Sequence, residues 1–344
     1  MTQALRARTH AWERLRDEQL LSLRFCDLGL SLAGTELESS IDRLYRELAR
    51  RGIRFRPHCW LAEEWFSPDG VPGIAVPFYL AHPRLMLLER RMMREVEGGN
   101  RRWLMRILRH EAGHAIDTAY RLRRRRRWRE VFGPASLPYP HSYRPRPGSR
   151  RYVQHLGEWY AQAHPTEDFA ETFAVWLQPR SGWRTAYAGW PALRKLEFID
   201  SLIGEIGRTE PPVVDRRRIE DVTENTRTLR QHYERKHARE RASRHSAADE
   251  LLRKIFSVAP ARRTAPKAVR VVRDLAPPLR GQLVGSGSFS DYLVQQVFRL
   301  VIARCESLDL YVRGSRREVR PQLRRVIVRL ARSYEERQLP RVAL

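Results

Sequence analysis

The sequence predicts an α+β fold: a small antiparallel sheet packed on helices, followed by a mainly α-helical C-terminal region. Three observations carry this. Short apolar runs broken by turn residues fill positions 53–88. Helical apolar periods flank that stretch on both sides. Two further helical periods lie near 289–307 and 316–337. At 344 residues and 42% hydrophobic content, the chain can bury a core and divide into domains. The expected limits are 1–212 for a first domain, 213–256 for a charged helical arm or linker, and 257–344 for a small helical region.

In chain order, residues 10–52 read as helical, with Ile41, Leu44 and Leu48 on one stripe and Gly52 as the C-terminal cap. Two or three antiparallel strands follow in "IRFRPHCWLAEEWF", "VPGIAVPFYL" and "HPRLMLL", with Pro68-Asp69-Gly70 as a turn. Pro72, Pro77 and Pro83 point to edge or irregular strands. Trp60 and Trp65 read as core or sheet-face aromatics. Asn100 is placed to cap a helix over about 101–123, with Leu104, Leu108, Ala115, Ala119 and Leu122 on its apolar face. Gly113 inside that helix lets something approach its backbone closely.

The arginine run Arg123–Arg127 reads as a solvated face. Residues 133–151 hold five prolines and form a long loop. Thr166 is the expected cap of a helix over about 167–177, and another helix spans about 190–204. Residues 215–256 read as a charged helical segment, with His232, His237 and His245 on its surface. "PPLRGQLVGSGSF" reads as loop, and "GSGS" there lacks the features of a nucleotide-binding fingerprint.

The net charge is +25, almost all of it from arginine. Such a charge attracts polyanions, but an arginine-rich codon bias gives the same balance, so nucleic acid is a partner that is not favoured here. No apolar run is long enough for a bilayer, and no membrane partner is expected. The N-terminus lacks the apolar core of a signal peptide, and three scattered cysteines fit a reducing compartment, so a cytoplasmic location is expected.

The chemistry concentrates in "RHEAGHAID", residues 109–117. On a helix, His110 and His114 stack four residues apart and can aim both imidazoles at one Zn²⁺. Glu111 sits about 100° round the helix, placed to take a proton from a water that attacks a carbonyl. A third protein ligand is required. "YAQAHPTEDFAETF", residues 160–173, supplies Glu167 and Glu171, four apart on one helix face. One can bind the metal and the other can hydrogen-bond a ligand histidine; spacing alone does not rank them. His155 and His164 read as loop hydrogen-bonders.

These motifs, with "PGIAVPFYLAHPRL" upstream, resemble the zincin metallopeptidases of the gluzincin type. More narrowly, they resemble bacterial zinc-binding metallopeptidases related to the catalytic domain of anthrax lethal factor. The resemblance covers residues 71–180. It implies a zincin-like domain that hydrolyses peptide bonds, with His110, His114 and Glu167 as metal ligands and Glu111 as general base. It further implies Tyr160 as a donor to the oxyanion or leaving group, Glu171 behind a ligand histidine, and Asp117 holding the helix. The partner is then a peptide or protein substrate, which the surrounding arginines would bias towards acidic sequences. Two alternatives stand beside this: a basic nucleic-acid-binding protein with a structural or vestigial zinc, and a regulatory protein whose residues 215–344 dock a partner.

Overall fold

The computed structural model describes residues 10–343 except 141, 144, 158, 243–246, 261–264, 288 and 336–341. The sequence readings on residues 1–9, His245 and Ser288 lie outside the described residues. The fold is helix-rich with a small sheet, α+β in class. It divides into two units, one of residues 1–138, 151–156 and 164–239, the other of 139–150, 157–163 and 240–344.

In the first unit, helix α1 (Glu36–Arg50) starts where Thr35 accepts the Glu38 N–H, and buries Leu37, Ile41, Leu44 and Leu48. Gly52 follows it at φ +78°, a conformation that glycine adopts without strain. Strands β1 (His58–Ala62) and β2 (Gly73–Pro77) then pair. Their register is parallel, from His58 opposite Gly73 to Ala62 opposite Pro77, which corrects the antiparallel expectation. The connecting residues supply the reason. They first run back along β2, where Phe66 makes an antiparallel bridge to Ala75, and only then turn again. Two reversals restore the original direction. β2 therefore has a neighbour on each side and is fully buried, not an edge strand. Its prolines do not prevent this, because Pro72 precedes the strand and Pro77 ends it.

"HPRLMLL" is a second correction: it is the start of helix α2 (Pro83–Met93), not a strand. Pro83 occupies the first helical position, where its missing N–H costs nothing, and His82 Nδ1 accepts the Arg84 N–H at 3.1 Å. Helix α3 (Arg101–Ala119) starts at Asn100, whose side chain accepts the Trp103 N–H at 2.9 Å. Leu104, Leu108, Ala112, Ala115, Ile116 and Ala119 bury its inner face. α3 is tied to α1 by a bidentate pair: Arg109 Nε and Nη2 donate to the Glu47 carboxylate at 2.7 and 2.9 Å, both side chains being buried.

Of the arginine run, residues 124–127 are exposed, and helix α4 (Arg126–Phe132) buries Trp128. Helix α5 (Pro165–Leu177) is capped by His164, which accepts the Thr166 N–H, rather than by Thr166 itself. Helix α6 (Ala192–Ile206) packs on it, with Lys195 Nζ 2.6 Å from the Asp168 carboxylate. Residues 215–228 are not helical, against expectation. Their backbone instead lies along β1: Trp60 Nε1 donates to the Ile219 carbonyl and the Val222 N–H to the Leu61 carbonyl. Helix α7 (Leu229–Ala242) starts after them, with Leu229 and Tyr233 in the core.

His232 is buried, not a surface residue. Its Nδ1 lies 2.7 Å from a Glu63 oxygen, and Asn225 and Arg227 donate to the other. Burial opposes the charge on Glu63, but these partners outweigh it and hold its pKa at about 2.

The second unit has its own core, in which Leu252, Phe256, Val272, Leu279, Val294, Val301, Leu323 and Ile327 are buried. Its helices are α8 (Ala247–Ile255), α9 (Ala268–Gly285), α10 (Asp291–Ser307) and α11 (Arg316–Glu335). α9 corrects the loop expectation. Pro277 and Pro278 lie inside it, but Val271, Val272, Leu275, Leu279 and Leu283 are buried at helical spacing. That burial outweighs the helix-breaking tendency of the prolines. No described helix is long and apolar enough to cross a membrane.

Candidate metal centre

α3 and α5 build the site, and a glycine sets their separation. A Cβ on Gly113 would lie 2.9 Å from Ala170 Cα and 3.3 Å from its carbonyl oxygen. The two backbones meet at that point. This close approach brings the first turns of α5 level with the histidines of α3.

Three donors converge there. His110 Nε2 is 3.0 Å from Glu167 Oε2, His114 Nε2 is 3.2 Å from the same oxygen, and the two Nε2 atoms are 3.1 Å apart. Tetrahedral zinc with ligands at about 2.0–2.1 Å holds its donors about 3.3 Å apart, so this nearly equilateral triangle fits the ion. Among the described residues, His110, His114 and Glu167 form the group able to hold a metal ion. His110 and Glu167 are buried, and His114 is partly exposed.

Glu171 serves the other side of the ring. Its Oε1 lies 2.9 Å from His110 Nδ1, and its Oε2 accepts the Leu156 N–H at 2.8 Å. A proton held at Nδ1 by a carboxylate leaves the Nε2 lone pair facing Glu167 and His114, the tautomer a ligand needs. Electrostatics agree with the geometry. Burial opposes a charge on His110, but Glu167 and Glu171 outweigh it and hold its pKa well above the usual histidine range. Burial likewise opposes the Glu167 anion, and His114 and His110 hold its pKa well below the usual carboxylate range. Two buried carboxylates thus demand positive charge at this point.

Glu111 is 8% exposed. Its carbonyl accepts the Ser67 hydroxyl at 3.2 Å, while its carboxylate has no hydrogen bond or ion pair among the described residues. Asp117 is fully buried and accepts from the Arg123 N–H at 2.8 Å and from Arg123 Nε at 2.5 Å. Arg123 also donates to Asp69, so it joins the end of α3 to the β1–β2 connection rather than facing solvent. His155 is buried with Nε2 2.9 Å from the Arg106 carbonyl, and burial lowers its pKa to about 4. Tyr160 belongs to the second unit, in the single turn Tyr160–Gln162, with its ring edge-on to Tyr143 at 6.5 Å.

Sequence reasoning missed three partners here: Glu47 behind Arg109, the Leu156 amide behind Glu171, and Arg123 behind Asp117. The Glu47 and Leu156 contacts have no spacing signal, because each is made across elements that meet in space.

Two imidazoles and one carboxylate, converging from two helices with a free carboxylate one residue from the first imidazole, define a protein equipped to hold a divalent cation beside a proton acceptor. The particular family points the same way. Residues 87–225 match the model of the family described as "Putative zinc-binding metallo-peptidase", and this span contains the triad, Glu111, Tyr160 and Glu171. No curated protein and no solved structure matches the chain.

The Glu171 contact is testable. Glu171→Gln is expected to weaken zinc binding about 10- to 100-fold, the usual cost of removing a carboxylate behind a ligand histidine. Competition with a chelating dye measures it, and an unchanged affinity would remove Glu171 from the site.

Proposed function

We propose that the chain is a zinc-dependent metallopeptidase of the gluzincin type, related to the lethal factor catalytic domain, with residues 1–212 as its catalytic part. The convergence of His110, His114 and Glu167 at 3.0–3.2 Å carries this reading. These three residues would hold the zinc, which supplies Lewis acidity when bound, activating water and polarising a peptide carbonyl.

The chain's own groups do the rest. Glu111 accepts the proton of the attacking water on its free carboxylate and delivers it to the leaving amine. Its burial limits access of bulk water to that proton. Glu171 fixes the proton of His110 at Nδ1 and so keeps Nε2 a donor of electrons. Asp117, through Arg123, holds the C-terminal end of α3. Tyr160 is assigned the oxyanion or leaving-group donor on the resemblance alone. The free cysteines suit a reducing cytoplasm.

The expectation of an acidic substrate is not carried forward. Arg109 and Arg123 are engaged by Glu47, Asp117 and Asp69, so neither is an open anchor for an acidic side chain.

The deciding experiment is metal analysis of the full chain with a peptide-library cleavage assay. About one zinc per chain is expected. Cleavage should stop on chelation and return with added zinc. A chain that takes up no zinc would overturn the metal assignment, and a zinc-loaded chain that cuts no peptide would overturn the peptidase assignment.

A further inference from the structure

In the second unit several basic side chains are held in ion pairs. Arg280 meets Asp291, Arg304 meets Asp249 at 2.7 Å, Lys267 meets Asp309 at 2.6 Å, and Arg273 meets Glu306 at 3.5 Å. Helix α11 concentrates arginines on one element. Its sequence, "RREVRPQLRRVIVRLARSYE", holds seven arginines and two glutamates. Arg316 pairs with Asp274, and Glu318 is spent on the helix start, where it accepts the Ser315 N–H at 2.7 Å. Arg317, Arg320, Arg324, Arg325, Arg329 and Arg332 are all exposed, and none makes an ion pair among the described residues.

We propose that the outer face of α11 is a nucleic-acid-binding surface that grips the phosphate backbone of a duplex without reading its sequence. Charge is the first argument. Six guanidiniums on one helix, with no ion pair among the described residues, repel each other, and a row of phosphates relieves that repulsion while offering each a bidentate partner. Length is the second. From Arg317 to Arg332 the helix rises about 22 Å, a substantial part of one duplex turn of about 34 Å.

Burial separates the duplex from an anionic membrane. An interfacial helix needs an apolar face to insert between lipids. The apolar face of α11, with Val319, Leu323, Val326, Ile327 and Leu330, is already buried in the core of its own unit. Only charge is left for a partner. The exposed stripe holds no aromatic side chain among the described residues, so it lacks the stacking platforms of single-strand binders. This surface is independent of the zinc triad and of its chemistry.

The test uses the full chain, two labelled DNA duplexes of unrelated sequence, and a salt series. Both duplexes are expected to bind alike, with affinity falling steeply as salt rises. Changing Arg317, Arg320, Arg324 and Arg325 together to Gln is expected to reduce the log–log salt slope by about three to four, at about 0.9 per phosphate contact released. The same four positions changed to Lys should keep the slope, because the charge remains; this variant separates lost charge from a disturbed helix. A Gln variant with the slope of the unaltered chain would overturn the proposal. So would equal loss of slope in the Lys variant, or binding to phosphatidylserine vesicles with the duplexes unbound.

Discussion

Glu111→Gln is expected to lower kcat for peptide hydrolysis by about 10²- to 10⁴-fold, the usual contribution of a positioned proton acceptor. Zinc content should stay that of the unaltered chain. The amide has the shape of the carboxylate but cannot accept the proton. The three metal donors are other residues, and the Glu111 carboxylate has no hydrogen bond or ion pair whose loss would disturb the fold. Metal analysis and single-turnover cleavage on the same preparations read both quantities. Full activity in the variant would refute the assigned role. Loss of zinc together with activity would make Glu111 part of the metal's support instead.

The second large effect is on stability. Glu47→Ala is expected to cost about 3–5 kcal/mol, the range for breaking a buried ion pair from one side. The deletion leaves the Arg109 guanidinium buried without its bidentate partner, one residue before His110. Removing both charges, as Glu47→Leu with Arg109→Leu, should recover much of the loss, because no uncompensated charge then remains. Urea unfolding of the two variants and the unaltered chain compares them. Equal destabilisation by the double change would assign the effect to packing rather than to the orphaned charge.

The two histidines of the site were legible from their spacing, because four residues on a helix fix a shared face before any tertiary contact forms. The roles of Glu167 and Glu171 were not. They share a face for the same reason, and only the crossing of α3 and α5 turns one towards Nε2 and the other towards Nδ1. Asn100 was readable as a cap because capping is local. The parallel register of β1 and β2 was hidden because the returning leg between them makes a single bridge at Phe66, too short to leave a pattern. α9 was concealed by two prolines whose effect is local and unfavourable, while the burial that overrides it is distant. His232 looked like a surface residue in a charged segment; its partner Glu63 is 169 positions away, beyond any spacing rule.

Gly113 carries one more implication. Because α3 and α5 touch main chain to main chain at that residue, the gap between them is set by van der Waals contact of the two backbones and not by the ion. The cradle is therefore preorganised: stripping the metal should leave an apoprotein with native circular dichroism, able to reload rapidly without refolding.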